Sequence, residues 1–242
     1  MISVCIPTFN GEKYLNKQLD SILPQLEPED EIIISDDSSS DNTLSIIKSY
    51  KDERIKLLMN NDFKSPAFNL ENALINAQGD YIFLSDQDDI WMPDKVEICL
   101  EKIKGYDLLV SDCVLIDEND TQIADSFFAI NNSKQGFIRN FIKNSYLGCC
   151  IVFNRGVLNY VLPFPKGIAM HDIWIGLNTE IIGKPRFISE KLIKYRRHGE
   201  NITGTSGKSE FSLSFKIKYR IKFLYYIVMR IFSKSHRKEM DT

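Results

Sequence analysis

Apolar positions in the first half of the chain recur in two rhythms. Short runs rich in β-branched and aromatic residues occupy positions 2–6, 31–35, 55–59, 81–85 and 108–111. Between them apolar residues return at helical spacing: Tyr14, Leu15, Leu19, Ile22 and Leu23, then Leu44, Ile46 and Ile47, then Phe68, Leu70, Ala73, Leu74 and Ala77. Strand followed by helix, repeated, predicts an α/β protein with a mostly parallel central sheet flanked by helices. The second half is less regular. Residues 170–182 suit a helix, and Pro163, Pro165 and Pro185 punctuate the loops around it. Residues 211–223 alternate apolar and polar in strand rhythm, whereas 223–232 read more easily as a helix.

Ligands of such sheets gather beyond the carboxyl ends of the strands, so the segments there carry the candidate chemistry. The first, PTFNGEKYL at 7–15, opens with a proline that cannot continue a ladder. Its small polar residues can hold a nucleotide, although an ordinary strand–turn–helix connection explains it equally well. It is neither GxGxxG nor GxxxxGK[ST], which removes the main support for a dinucleotide fold or a P-loop. The second, SDDSSSDNT at 35–43, offers Ser40 or Asp41 as a helix cap and leaves the Asp36–Asp37 pair unexplained. The third, SDQDDIWMPDK at 85–95, packs three carboxylates into four positions after an apolar run. Hard-oxygen clusters of this kind suit Mg²⁺ or Mn²⁺ shared with substrate phosphates. The plainer reading is a solvated acidic turn with Asp94 capping the next helix.

Composition narrows the class. With 43% hydrophobic and 26% charged residues, the 242-residue chain is globular rather than disordered or disulfide-stapled. A net charge of −3 argues against a nucleic-acid coat. That small total hides an asymmetry: residues 211–242 hold eight basic and two acidic side chains, leaving −9 for residues 1–210. No leader pattern is visible, and the apolar run at 223–229 is far shorter than the ~20 residues of a membrane span. Cys5, Cys99, Cys113, Cys149 and Cys150 form no CxxC pair and read as buried thiols of a reducing cytoplasm.

Taken together, PTFNGEKYL, SDDSSSDNT, AQGDYIFLSDQDDIW, MHDIWIG and YRRHGENITG occur in an order and spacing that resembles the family 2 glycosyltransferases of GT-A fold. The sub-pattern DQDDIW is most similar to rhamnosyltransferase-like bacterial members that build surface polysaccharides. The resemblance covers about residues 1–205. It implies that Thr8, Asn10 and Glu12 lie near ribose and phosphate, that Asp37 faces the base, and that Asn69 reaches the nucleotide. The Arg-Asn that many members carry in the helix before the DxD strand is replaced here by Ala67-Phe68-Asn69. The DxD-type motif falls on Asp86-Gln87-Asp88, with Asp86 and Gln87 on the donor and Asp88 on a divalent metal. Trp91 is expected to pack beneath that loop.

The resemblance further implies Asp172 as the general base, with His171 and Trp174 on the acceptor side. In the chemistry of transfer, an attacking hydroxyl must lose its proton to a group within hydrogen-bond reach. A helix cap is the structural alternative for His171 and Asp172. Arg196 and Arg197 are expected on the leaving diphosphate, and His198 on the metal. The implied domain plan is a catalytic unit over 1–210 (donor half 1–112, acceptor half 113–210) and a basic extension over 211–242. The implied activity is inverting, Mn²⁺- or Mg²⁺-dependent transfer from a nucleoside-diphosphate sugar to a lipid-linked saccharide, with no nucleic-acid partner. The basic extension suggests peripheral contact with the inner face of the cytoplasmic membrane or, equally, packing on the body with cations outward. A sugar-nucleotide pyrophosphorylase lacks support, because its Gly-rich basic loop after the first strand is missing. A non-enzymatic nucleotide-sugar-binding protein would be expected to have lost acids that are all present.

Overall fold

The protein is described from a computed structural model over residues 1–59, 61–168, 170–197 and 220–230. Among these residues nine strands form one sheet. They are β1 (Ile2–Thr8), β2 (Glu31–Asp36), β3 (Ile55–Leu58), β4 (Tyr81–Leu84), β5 (Ile90–Trp91), β6 (Leu108–Ile116), β7 (Gln122–Ala124), β8 (Ile151–Asn154) and β9 (Pro185–Arg196). The order is β3-β2-β1-β4-β8-β6-β9-β5, with β7 on β6. β1 to β4 pair in parallel, β1 lying between β2 and β4. Both faces of β1 and β2 are covered, so these strands read as continuous apolar runs. The expected α/β architecture is present, and its sheet is mixed. β8 enters antiparallel between β4 and β6, after which β6 and β9 run parallel.

The helices follow the apolar spacing. α1 (Leu15–Ile22) buries Leu15, Leu19 and Ile22, and α2 is Thr43–Ser49. α3 (Pro66–Asn76) starts with proline at a position whose N–H needs no partner and buries Ala67, Leu70, Ala73 and Leu74. α4 (Lys95–Lys102), α5 (Phe127–Asn131), α6 (Phe137–Ile142) and α7 (Leu158–Val161) complete the series before α8 (His171–Ile182). α8 is buried from Ile173 to Thr179, which fits the predicted helix over 170–182. Pro185 was placed in a loop by its sequence. It opens β9 instead, a position where a strand tolerates the missing donor.

Residues 220–230 form a helix, α9, which removes positions 220–223 from the strand rhythm read at 211–223. Residues 211–219 and 231–242 lie outside the described residues. Phe223 and Ile227, one turn apart, are buried, and the Phe223 ring meets Trp174 edge-on at 5.3 Å. Two of the helix's cations face the body. Arg220 donates to the Phe141 carbonyl at 2.8 Å and to that of Ile142; Arg230 donates to the carbonyls of Leu162 and Pro163. A buried aromatic that anchors a helix has a large truncation cost. Phe223→Ala is expected to destabilise the protein by about 3 kcal/mol, read as a shift in the urea unfolding midpoint. An unchanged midpoint would mean that α9 is not docked.

Candidate active site

Beyond β1 and β2 the two loops are laced together. Thr8 at the end of β1 donates to Asp36 at 2.8 Å, and Asp36 also accepts from the Ser39 amide and hydroxyl. The Asn10 side chain accepts from the Ser40 amide at 2.8 Å, and Glu12 accepts from the Asn42 amide at 2.9 Å. Asp37 lies half-buried at the rim, one oxygen accepting from the Phe63 amide at 2.6 Å. Asn69 is buried behind the strand and donates to the Thr8 carbonyl at 3.0 Å. Of the acid pair, Asp36 therefore shapes the loop and Asp37 faces outward.

The loop after β4 is fastened to the first by Gln87. Its amide accepts from the Phe9 N–H at 2.9 Å and donates to the Phe9 carbonyl at 3.0 Å. Gly11 lies against this amide so closely that a Cβ would stand 2.4 Å from Gln87 Oε1. Asp86 and Asp88 are half-buried in the cleft, whereas Asp89 is fully buried. Desolvation, followed by the charges of Asp88 and Asp172, pushes the Asp86 carboxyl up to about 7. Burial, followed by the charges of Asp88 and Asp86, raises the Asp89 carboxyl well above the carboxylate range, despite a 2.8 Å bond from the Arg196 amide. Trp91 packs under the loop, 5.5 Å from Phe83 and 4.7 Å from the Lys95 ammonium.

Asp172 lies in the first turn of α8. One oxygen accepts from the Ile173 amide at 2.8 Å and the other from the Asn144 side chain at 3.0 Å. Burial raises its carboxyl, while the adjacent His171 opposes the shift. Burial lowers His171, which keeps the imidazole neutral at neutral pH. The turn Gly148–Cys150 runs between this helix end and the Asp86 loop. A Cβ on Gly148 would stand 2.8 Å from His171 Nε2. Next to it, donor atoms of Cys149, Asp86 and Asp89 lie within 4.8 Å of one another. Asn144 and the Gly148–Cys150 turn escaped the sequence reading. Their one signal was a glycine followed by two small apolar residues.

Two expectations shift in place. Trp174 is fully buried, donating to the Val161 carbonyl at 2.8 Å and carrying Phe223, so its ring is core and not acceptor surface. Arg196 is also fully buried. It donates to the carbonyls of Asp88 at 2.7 Å and Asp117 at 2.9 Å, pairs with Asp120 at 2.6 Å, and lies 4.4 Å from the Tyr14 ring. Its guanidinium braces the acidic loop from behind. Arg197 is half-buried with its amide on the Ile116 carbonyl, and His198 lies outside the described residues.

The cleft fits a divalent cation on its own terms. Asp89 Oδ2 is buried without a hydrogen-bond partner, and acids at 86, 88 and 172 crowd one desolvated place. Their oxygens are the hard donors that Mg²⁺ or Mn²⁺ prefers, whereas the buried Cys149 thiol, pushed up by desolvation, is not.

The fold is that of GT-A glycosyltransferases. TarS of S. aureus, solved in complex with UDP-GlcNAc, superposes with a TM-score of 0.68 over 92% of this chain and 71% of its own, at 19% identity. Residues 3–162 match the profile of Glycosyl transferase family 2, and the chain belongs to that family. Two relatives from Escherichia coli are UDP-Glc:alpha-D-GlcNAc-diphosphoundecaprenol beta-1,3-glucosyltransferases. WfgD is 30% identical over 68% of this chain and 64% of its own length; WfaP is 28% identical over 93% and 92%.

A carboxyl held near 7 binds a proton below that pH, and a cation must displace it. Mn²⁺ affinity is therefore expected to weaken by up to roughly tenfold per pH unit below 7, read by calorimetric titration. An affinity flat across that range would take Asp86 out of the cation site.

Proposed function

We propose that the chain transfers a hexosyl group, with inversion, from a nucleoside-diphosphate sugar to a hydroxyl of a lipid-linked saccharide in bacterial surface polysaccharide synthesis. The observation that carries this reading is electrostatic. Asp86, from the end of β4, and Asp172, from the start of α8, are near enough to perturb each other across one cleft. The TarS complex with UDP-GlcNAc and the diphosphoundecaprenol acceptors of WfgD and WfaP support the same donor and acceptor classes.

Thr8, Asn10, Glu12 and Asp37 would line the nucleotide and Gln87 would fix the loop over it, with Asn69 supporting the strand end beneath. Asp88, with Asp86 and His198, would hold Mn²⁺ or Mg²⁺. Such an ion supplies charge stabilisation to a departing diphosphate. On the acceptor side the Asp172 carboxylate takes the hydroxyl proton as the oxygen forms its bond to the anomeric carbon. The bond from that carbon to the diphosphate oxygen breaks on the opposite face, and its electron pair leaves with the diphosphate. Asn144 holds Asp172 in place and the neutral His171 lies beside it. Arg197 would answer the charge of the leaving group. Work at the inner face of the cytoplasmic membrane follows from a lipid-linked acceptor. Among the described residues no helix is long and apolar enough to cross a bilayer.

Asp172→Asn keeps the shape of the side chain and removes the base. Transfer is expected to fall roughly 10²–10⁴-fold with donor binding intact, read as a drop in kcat against an unchanged donor KM. A near-normal kcat would remove Asp172 from the role. The anomeric configuration of the product, read by NMR, tests inversion separately.

A further inference from the structure

α9 is apolar on two opposite sides. One side, Phe223 and Ile227, is buried against the body. The other side is open: Ile221 is 63% exposed, Tyr225 58%, Leu224 43% and Val228 39%. A helix apolar all round normally has both sides covered. The same surface continues onto α6, where Ile138 and Ile142, one turn apart, are 73% and 62% exposed. Arg220 joins the two helices by donating to the Phe141 and Ile142 carbonyls. Between them these two linked helices expose six large apolar side chains, more than scattered surface hydrophobes require.

Charge selects the occupant. The segments 137–143 and 220–230 contain Arg139, Lys143, Arg220, Lys222 and Arg230 and no acidic residue. Arg220 and Arg230 are turned to carbonyls, with Glu71 beside Arg230, and the apolar residues set among the remaining cations match an anionic lipid surface. Two copies of this chain meeting patch to patch would instead appose like charges. Position adds a reason. The buried side of α9 rests on Trp174, two residues along α8 from Asp172, so the patch lies on the side of the molecule that α8 shares.

We infer that the outward faces of α9 and α6 form the membrane-docking surface, which seats the chain in an anionic leaflet and presents the α8 end of the cleft to a lipid-linked acceptor. The acceptor clause rests on the reading under Proposed function; the docking surface stands on the patch itself.

The test uses the full chain and flotation with vesicles of phosphatidylglycerol and phosphatidylethanolamine. Ile221→Asp combined with Tyr225→Asp is expected to cut binding by more than roughly tenfold, since each change withdraws apolar area from lipid and adds a repelled charge. Wild-type binding should be much weaker on phosphatidylcholine alone. Release of UDP from UDP-glucose with Mn²⁺ should be the same in wild type and variant, because neither residue lines the cleft. Should the α9 variant melt early, Ile138→Asp with Ile142→Asp carries the same expectation. Vesicle binding unchanged in a folded variant overturns the proposal. So does a wild-type dimer that becomes monomeric in the variant while still binding vesicles, which would assign the patch to a second copy. Selective loss of vesicle binding with no UDP release from either protein would uphold the surface and count against the transferase reading alone.

Discussion

The structure is organised around one electrostatic constraint: Asp86, Asp88, Asp89 and Asp172 converge on a place with little water. Like charges at low dielectric repel strongly, and a carboxylate answers by keeping its proton or finding a cation. Asp89, deepest, has its carboxyl pushed well above the carboxylate range by burial and accepts from the Arg196 amide. Asp86, at the cleft surface, sits near 7, where a divalent ion can displace its proton. Around them the protein supplies donors rather than neutralising partners. Asn144 holds Asp172, and the buried Arg196 spends its guanidinium on backbone carbonyls and on Asp120. That leaves the acids themselves available to a ligand.

Bringing those acids together depends on the antiparallel β8. A purely parallel sheet would need a crossover helix between β4 and its next neighbour. Here β8 fills that place directly, and the Gly148–Cys150 turn leading into it reaches the Asp86 loop on one side and His171 on the other. Gly148 is required by that close approach, because any Cβ would displace the imidazole. Beneath the same turn, the buried Lys95 donates to the Cys149 carbonyl at 3.0 Å and lies on the Trp91 ring. The Asp86 loop and the start of α8 therefore share one turn.

How much of this was legible follows from the range of each interaction. β1, β2 and β4 declare themselves because covered parallel strands must be apolar throughout, and the acids at their ends stand out against that background. β9 was invisible: its outward side is salted with Glu190, Lys191 and Lys194, which a half-covered strand permits and a local pattern cannot distinguish from a loop. Gly148 and Asn144 act through partners more than twenty residues away, so nothing in their own neighbourhood marks them. Arg196 and Trp174 misled for the opposite reason. Their chemistry suits a ligand, but both side chains are buried in the body.

The charge asymmetry resolves along the same lines. Part of the excess acid of residues 1–210 lies at Asp86, Asp88, Asp89 and Asp172, which crowd one desolvated place in the cleft. Among the described residues of the carboxy-terminal segment, two cations are engaged with the body. Arg220 and Arg230 turn inward to carbonyls at the ends of α6 and just beyond α7, where helix dipoles leave partial negative charge. They anchor α9, and by doing so they fix which side of it faces away. The apolar residues on that outward side are thus a consequence of how the basic residues are used. A helix held by its arginines needs little more than Phe223 and Ile227 for docking, which leaves its remaining apolar side to be occupied from outside.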